Sequence, residues 1–384
     1  MGGRISELLM ISALTSTGKI LESPCMRRGV AELPLHWGKA PVWLFERMER
    51  LIRAVAEVIV AEFGPEEMLR RFSDPVWFQS LGCVAGFDWH SSGLTTTVCG
   101  ALKEGIKGLE RDLGIFVCGG KGRASRRTPD GIRTFAEIFG LNGERLVNVS
   151  RLVAKVDSSA LQDGYQIYHH IFIGTKKGNW AVVQQGMNTG TRWARRYHWF
   201  SEGLESFVVE PHKAIAGAPT PVVLNMVAFE AEEARSAVVS LAGQSPEKTL
   251  HEITRIKLPQ HHPVLISDIA TGHLKKVLLT TYENPPADFV QFLLVPGVGP
   301  KTVRALALVA EVIYGAPLSF RDPVTYCFAH GGKDGYPYPV NRQDYDRSLS
   351  LLEAGIKEAK IGNREKLDAL KRLERWSRCL TISQ

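Results

Sequence analysis

Asp157 and Asp163, the adjacent His169 and His170, and the adjacent Gln184 and Gln185 lie close together in this chain. Carboxylates, a neutral imidazole and an amide oxygen can together hold a divalent ion such as Mg²⁺ or Mn²⁺. Such an ion clamps a scissile phosphate in metal-dependent phosphodiester hydrolysis. Asp157, Asp163, His169 and Gln185 are the candidate catalytic residues. The candidate ligand set is Asp157, Asp163 and His169, with Asp88 and His90 from an earlier segment. In the competing reading the aspartates form turns and the histidines are hydrogen-bonded residues of a sheet. Two glutamines also stand where a nuclease hairpin often carries an acid and a lysine.

These residues need a β-hairpin to position them. Gln166–Gly174 and Trp180–Met187 are rich in β-branched and aromatic residues and are separated by Lys176-Lys177-Gly178-Asn179, which predicts two strands and a turn. Folding about that turn sets His169 and His170 near Gln184 and Gln185, to within a residue of register. Alternation then sends the two histidines to opposite faces, so only one of them can serve a given site. Upstream, Trp43–Phe63 has apolar residues at helical spacing, Pro65 opens a second helix, and Thr95–Leu113 contains a third. Ile115-Phe116-Val117 predicts a strand.

Basic segments suggest a second kind of chemistry. Lys121 and Arg123 sit in Cys118-Gly119-Gly120-Lys121-Gly122-Arg123, and Arg126 and Arg127 precede Thr128-Pro129-Asp130. A glycine loop carrying Lys and Arg can cradle an anion, with Thr128 expected to cap the following helix. The alternative is a solvated loop. Arg195 and Arg196 are interleaved with Trp193, Tyr197, His198 and Trp199. That pattern suits single strands, with arginines on the backbone and rings against bases, or else buried aromatics with arginines reaching out to solvent. Asp88, His90 and Ser91-Ser92 lie too close together in sequence for a working nucleophilic triad and predict a turn and helix cap. Cys99 and Cys118 lack an adjacent positive residue and are expected to be buried and inert.

The segment Leu294-Val295-Pro296-Gly297-Val298-Gly299-Pro300-Lys301-Thr302 resembles the hairpin of a helix-hairpin-helix DNA-binding motif. Pro296 stops one helix, the glycines permit a tight reversal, and a second helix starts near Thr302. The resemblance implies that Gly297, Val298, Gly299, Lys301 and Thr302 meet the DNA backbone. A helix N-terminus and a lysine would supply the attraction. It also extends towards the DNA glycosylases of that class. Gly315, Pro317 and Asp322 keep their offsets, which implies Lys301 as a Schiff-base nucleophile and Asp322 as its acidic partner. Pro323 and a longer helix before Gly315 depart from that pattern.

Leu33-Pro34-Leu35-His36-Trp37-Gly38-Lys39-Ala40-Pro41, Gly86-Phe87-Asp88-Trp89-His90-Ser91-Ser92-Gly93, Ala160-Leu161-Gln162-Asp163-Gly164-Tyr165-Gln166 and Ala194-Arg195-Arg196-Tyr197-His198-Trp199 resemble a prokaryotic family known as domain of unknown function 763. The resemblance covers the chain from Met26 onward and implies no activity. An excess of 47 Lys and Arg over 40 Asp and Glu favours polyanionic partners. No apolar run approaches the roughly 20 residues of a membrane span. Cysteines without a Cys-x-x-Cys pair fit a reducing cytoplasm. The expected class is α+β. A flexible extension, residues 1–25, precedes an α+β domain over 26–210 with the possible chemistry. A proline-rich linker over 211–222 leads to an all-helical domain over 223–384 carrying the hairpin. The expected function is DNA binding in processing or repair, by a metal-dependent nuclease, a glycosylase or lyase, or a non-enzymatic clamp, with RNA as a further possible partner.

Overall fold

The alternation of side chains along neighbouring strands decides the architecture. The computed structural model describes residues 40–87, 92–256, 271–325 and 361–381, together with residues 33, 35, 350 and 352–358. The expected extension over residues 1–25 lies outside them, as do Asp88 and His90. Strands β1 (Ile115–Lys121), β3 (Gln166–Thr175), β4 (Trp180–Asn188), β5 (Trp193–Phe200) and β6 (Ala214–Ala216) form one antiparallel sheet in the order β1-β3-β4-β5-β6. Two short strands, β2 (Leu161–Gln162) and β7 (Leu224–Asn225), pair separately.

Both faces of the sheet are apolar, so both must be covered. Ile115, Val117, Ile171, Ile173, Ala181, Val183 and Phe200 pack on one side against helices α1 (Val42–Phe63), α2 (Pro65–Ser73), α3 (Pro75–Val84) and α4 (Gly93–Gly105), and against Ala369 and Leu373 of the C-terminal helix α14 (Asn363–Thr381). The short α5 (Glu110–Leu113) leads into β1. Phe116, Cys118, Phe172, Val182, Tyr197 and Trp199 face the other way. There they meet α7 (Thr128–Phe139) and α8 (Gly143–Lys155), which follow the single turn α6 (Arg123–Arg126). The C-terminal helices α9 (Glu232–Ala242), α10 (Pro246–Arg255), α11 (Thr271–Glu283), α12 (Phe289–Leu294) and α13 (Pro300–Tyr314) contribute to the same cluster. The molecule is α+β, with helices on both sides of an antiparallel sheet.

Several local expectations are corrected. Residues 211–222, read as a linker, contain β6, whose Ala216 pairs with Arg196. Segment 316–325 then fastens to that edge through Thr325 N to Ile215 O at 3.1 Å, and to β7 through Asn225 N to Ser319 O at 2.8 Å. The hydrophobic cluster runs unbroken from β1 to Ala310, so residues 223–325 build on the sheet rather than on a core of their own. Cys118–Lys121, read as a loop, is the end of β1 and pairs with β3 out to Lys121 opposite His169. Gly119 is required there: its φ is +103°, and a Cβ would lie 2.2 Å from His170 O. Thr128 does not cap α7, since the N-cap is Arg127 and Thr128 Oγ1 donates to Ser125 O at 2.7 Å.

Candidate functional site

The hairpin between α12 and α13 is built by identifiable local signals. Asp288 caps α12 by accepting from Gln291 N at 2.7 Å. Val295 and Pro296 end the helix, Gly297 takes φ +89°, and Val298 folds inward with 1% exposure. Pro296, Gly297, Pro300 and Lys301 remain exposed. Thr302, expected among the contact residues, is buried.

Three carbonyls of this turn are held from three directions. His273 Nε2 donates to Gly297 O at 2.9 Å, Lys155 Nζ to Val298 O, and Gln162 Nε2 to Pro300 O at 2.8 Å. Arg304 Nε in turn donates to Gln162 Oε1 at 2.9 Å. Burial lowers the pKa of Lys155. With its carbonyls occupied and Val298 anchored, the turn presents a fixed glycine surface beside Lys301. Sequence reasoning missed Lys155, Gln162 and His273 as braces, since nothing local to the hairpin points to them; Gln162 stood only within the string that carries the family resemblance.

A second exposed basic segment, Lys121, Arg123, Arg126 and Arg127, runs from the end of β1 into α7. Lys121 Nζ lies 5.6 Å from the ring centroid of Tyr168. Arg195 and Arg196, in contrast, are corrections: both are 0% exposed and cannot meet DNA. Arg195 bonds to Asp163 at 2.9 Å, to Asp322 at 2.8 Å and to Ala218 O at 2.7 Å. Burial opposes its charge, but the two carboxylates raise its pKa above the ordinary value. Arg196 lies over the Phe78 ring at 4.5 Å and reaches Gln79 Oε1 and His198 Nε2. Burial pulls its pKa down to about 9.

The hairpin forms and fixes the register, His169 opposite Gln185 and His170 opposite Gln184, but the candidate ligands do not converge. His170 shares a face with Asp157 and Asp163, and His169 is on the other, with the sheet between them. Asp157 lies in a π-helical turn, Val156–Ala160, at the end of α8. It accepts from Trp199 Nε1 at 2.9 Å, His212 Nε2 at 2.5 Å and Gln184 Nε2. Gln184 Oε1 receives His170 Nδ1–H at 2.8 Å, which leaves His170 Nε2 to accept from Ser150 Oγ at 2.8 Å. Asp163 accepts from Arg195, from the Tyr197 hydroxyl at 2.7 Å and from Tyr165 N at 3.1 Å. Burial pushes its pKa up against those donors.

Both carboxylates are therefore filled by protein donors. Among the described residues no group of three or more His, Cys, Asp or Glu is arranged to hold a metal ion. Asp322, expected beside Lys301, instead accepts from Arg195 and from the backbone N–H groups of Thr220 and Val324. Cys99 and Cys118 are buried, and burial pushes both thiols up to about 12.

A family described as "Protein of unknown function (DUF763)" matches residues 29–340. The chain belongs to this family. No curated protein and no solved structure matches it. The DUF763 match spans the sheet, both basic segments and the hairpin in one unit. Among the described residues no helix is long and apolar enough to cross a membrane.

Proposed function

We propose that this DUF763 protein binds DNA in processing or repair, gripping the backbone through the α12–α13 hairpin. The observation that carries this reading is the bracing of the turn. Its carbonyls are tied back by His273, Lys155 and Gln162, while Gly297, Pro300 and Lys301 stay exposed. A preorganised backbone surface beside a lysine, at the start of a 15-residue helix, suits phosphate oxygens and reads no sequence. Lys121, Arg123, Arg126 and Arg127 supply a second set of backbone contacts. The binding reading stands without bond cleavage, because Asp157, Asp163 and Asp322 are occupied by internal donors.

Duplex binding measured over a range of salt tests it. Lys301→Met should reduce the slope of log K against log salt by about 0.9, the loss of one phosphate contact. Wild-type protein with no salt-sensitive binding, or an unchanged slope in Lys301→Met, defeats the reading. The same samples incubated with Mg²⁺ or Mn²⁺ and resolved on a denaturing gel test for cleavage.

A further inference from the structure

Arg192 stands in the turn that joins β4 to β5, beside the paired Asn188 and Trp193. Its φ is +62°, in a region that favours glycine and costs other residues strain. The rest of the turn is firmly built. Asn188 Oδ1 accepts from Gly190 N at 3.0 Å and from Thr191 N at 3.1 Å. Arg192 N donates to Asn188 O at 2.9 Å, and Arg192 O accepts from Leu35 N at 3.0 Å. The Arg192 side chain, in contrast, is exposed and makes no ion pair or hydrogen bond among the described residues. A cation held at a strained position by a rigid turn, with no task inside the molecule, points to a ligand outside it.

Backbone pairing sets this turn between the two basic elements already described. A Cβ on Gly164 would lie 3.2 Å from Asn188 Nδ2, so Gly164 adjoins the turn. Gln162, two residues earlier and so at most about 7 Å away along the chain, bonds to Pro300 O of the hairpin at 2.8 Å. On the other flank Lys121 ends β1 opposite His169, which is opposite Gln185, which is opposite Arg196. β1 and β5 are separated by β3 and β4, which is about 14 Å across the strands, and Asn188 lies about 10 Å beyond Gln185 along them. Lys121 and the turn are therefore about 17 Å apart at the same end of the sheet. The register of β3 shifts between Ile167 and His169, making Tyr168 the extra residue of a bulge. Tyr168 O accepts from Gly122 N at 2.9 Å, where the chain leaves β1 for Arg123, Arg126 and Arg127. The next helix, α7, buries Ile132 and Ala136 in the same cluster as the hairpin's Val298.

We propose that Arg192 is a DNA-phosphate contact, and that one duplex runs from the hairpin across the β4–β5 turn to the segment of Lys121, Arg123, Arg126 and Arg127. This rests on the hairpin's hold on DNA. At about 3.4 Å per nucleotide along a strand, the distance from Lys121 to the turn spans about five nucleotides, so one backbone can meet both. The guanidinium on a fixed turn offers paired N–H donors in the geometry that phosphate oxygens accept. A duplex is stiff over about 150 base pairs and brings its phosphates to such fixed points already spaced. A single strand must be ordered to do the same.

The test measures binding of the full chain to a duplex of about 20 base pairs, twice the length of one helical turn, over a range of salt. Arg192→Gly should lower the slope of log K against log salt by about 0.9. It should do so without lowering the melting temperature, because glycine suits the positive φ. Arg192→Lys, which keeps the charge, should keep the slope. Arg192→Gly combined with Lys301→Met should lower it by about 1.8, two contacts on one duplex. An unchanged slope in Arg192→Gly, an equal loss in Arg192→Lys, or a melting temperature several degrees below wild type in Arg192→Gly overturns the proposal. So does equal affinity for a single strand of the same length. A slope that falls in Lys301→Met but not in Arg192→Gly removes Arg192 from the path and leaves the hairpin's hold intact. Wild-type protein with no salt-sensitive binding removes both.

Discussion

His169 gives the most direct test of how the interior is built. Its ring is 1% exposed. Burial, joined by the charges of His170 and Lys121, pushes its pKa down to about 3 from the ordinary 6.5. The unfolded chain therefore binds more protons between those values. The folded state holds its full stability above pH 6.5 and loses it progressively as pH falls towards 3. At about 1.4 kcal/mol per pH unit, the loss from this one ring is about 2 kcal/mol by pH 5 and about 5 kcal/mol by pH 3. The latter matches the lower end of a typical domain's whole stability, about 5 kcal/mol. Burial also lowers His170 and His198, so all three act in the same direction. Urea unfolding in phosphate-free buffer at steps from pH 7 to pH 4 would measure the effect in wild type and in His169→Gln, which removes the titration and keeps a polar side chain. The variant should lose less stability on acidification, by about 2 kcal/mol at pH 5. Parallel pH profiles would mean that His169 takes up its proton normally in the folded protein, and the buried neutral ring would have to be abandoned.

Three other perturbations have expected outcomes. Arg195→Met leaves Asp163 buried without its cation and should cost about 3–5 kcal/mol in chemical denaturation, with part recovered by adding Asp163→Asn; a cost near zero refutes the pair's structural role. Gly119→Ala meets His170 O at 2.2 Å with φ +103° and should cost about 3 kcal/mol or more, so an unchanged melting temperature would contradict the close strand approach. Lys155→Met frees Val298 O and should speed amide exchange at Gly297–Gly299 about tenfold. It should also weaken DNA binding without lowering the salt slope, because Lys155 faces the turn and not the phosphate. A fall in slope equal to that of Lys301→Met would make Lys155 a phosphate contact instead.

How far the sequence discloses this molecule depends on the kind of signal. Trp43–Phe63 and the Lys176–Asn179 turn are local, and the helix, the hairpin and, to within a residue, the placing of His169 and His170 beside Gln184 and Gln185 follow from them. Gly143–Lys155 is less legible, because its apolar positions stand among strand-like segments that claim attention first. Arg195 and Arg196 show where residue type misleads. An arginine in an aromatic string looks like a ligand contact until distant carboxylates and carbonyls, Asp322 and Ala218 among them, are seen to engage its terminal NH groups. The Tyr168 bulge is hidden for another reason, since one unpaired residue changes which face a side chain serves without changing composition. The Pro-rich stretch around Ala216 predicts irregular chain. It forms an edge strand because edge positions tolerate proline nearby and need only one row of partners.

Two of the hairpin's three braces, Lys155 and Gln162, are neighbours in sequence of the two buried aspartates, and that adjacency gives the polar interior a role. Lys155 ends α8 just before the π-helical turn holding Asp157, and Gln162 immediately precedes Asp163. Trp199, His212 and Gln184 fix Asp157, while Arg195, Tyr197 and the Tyr165 amide fix Asp163. The short segment between them therefore has its orientation set by charge-assisted hydrogen bonds at both ends. Such bonds constrain direction more tightly than apolar packing does. Lys155 and Gln162 are thereby aimed at Val298 O and Pro300 O. Val298, Phe292 and Leu293 complete the link by packing into the same cluster as Phe172 and Trp199. On this account the carboxylates that suggested a metal centre act at one remove, holding the platform from which the hairpin's backbone is presented.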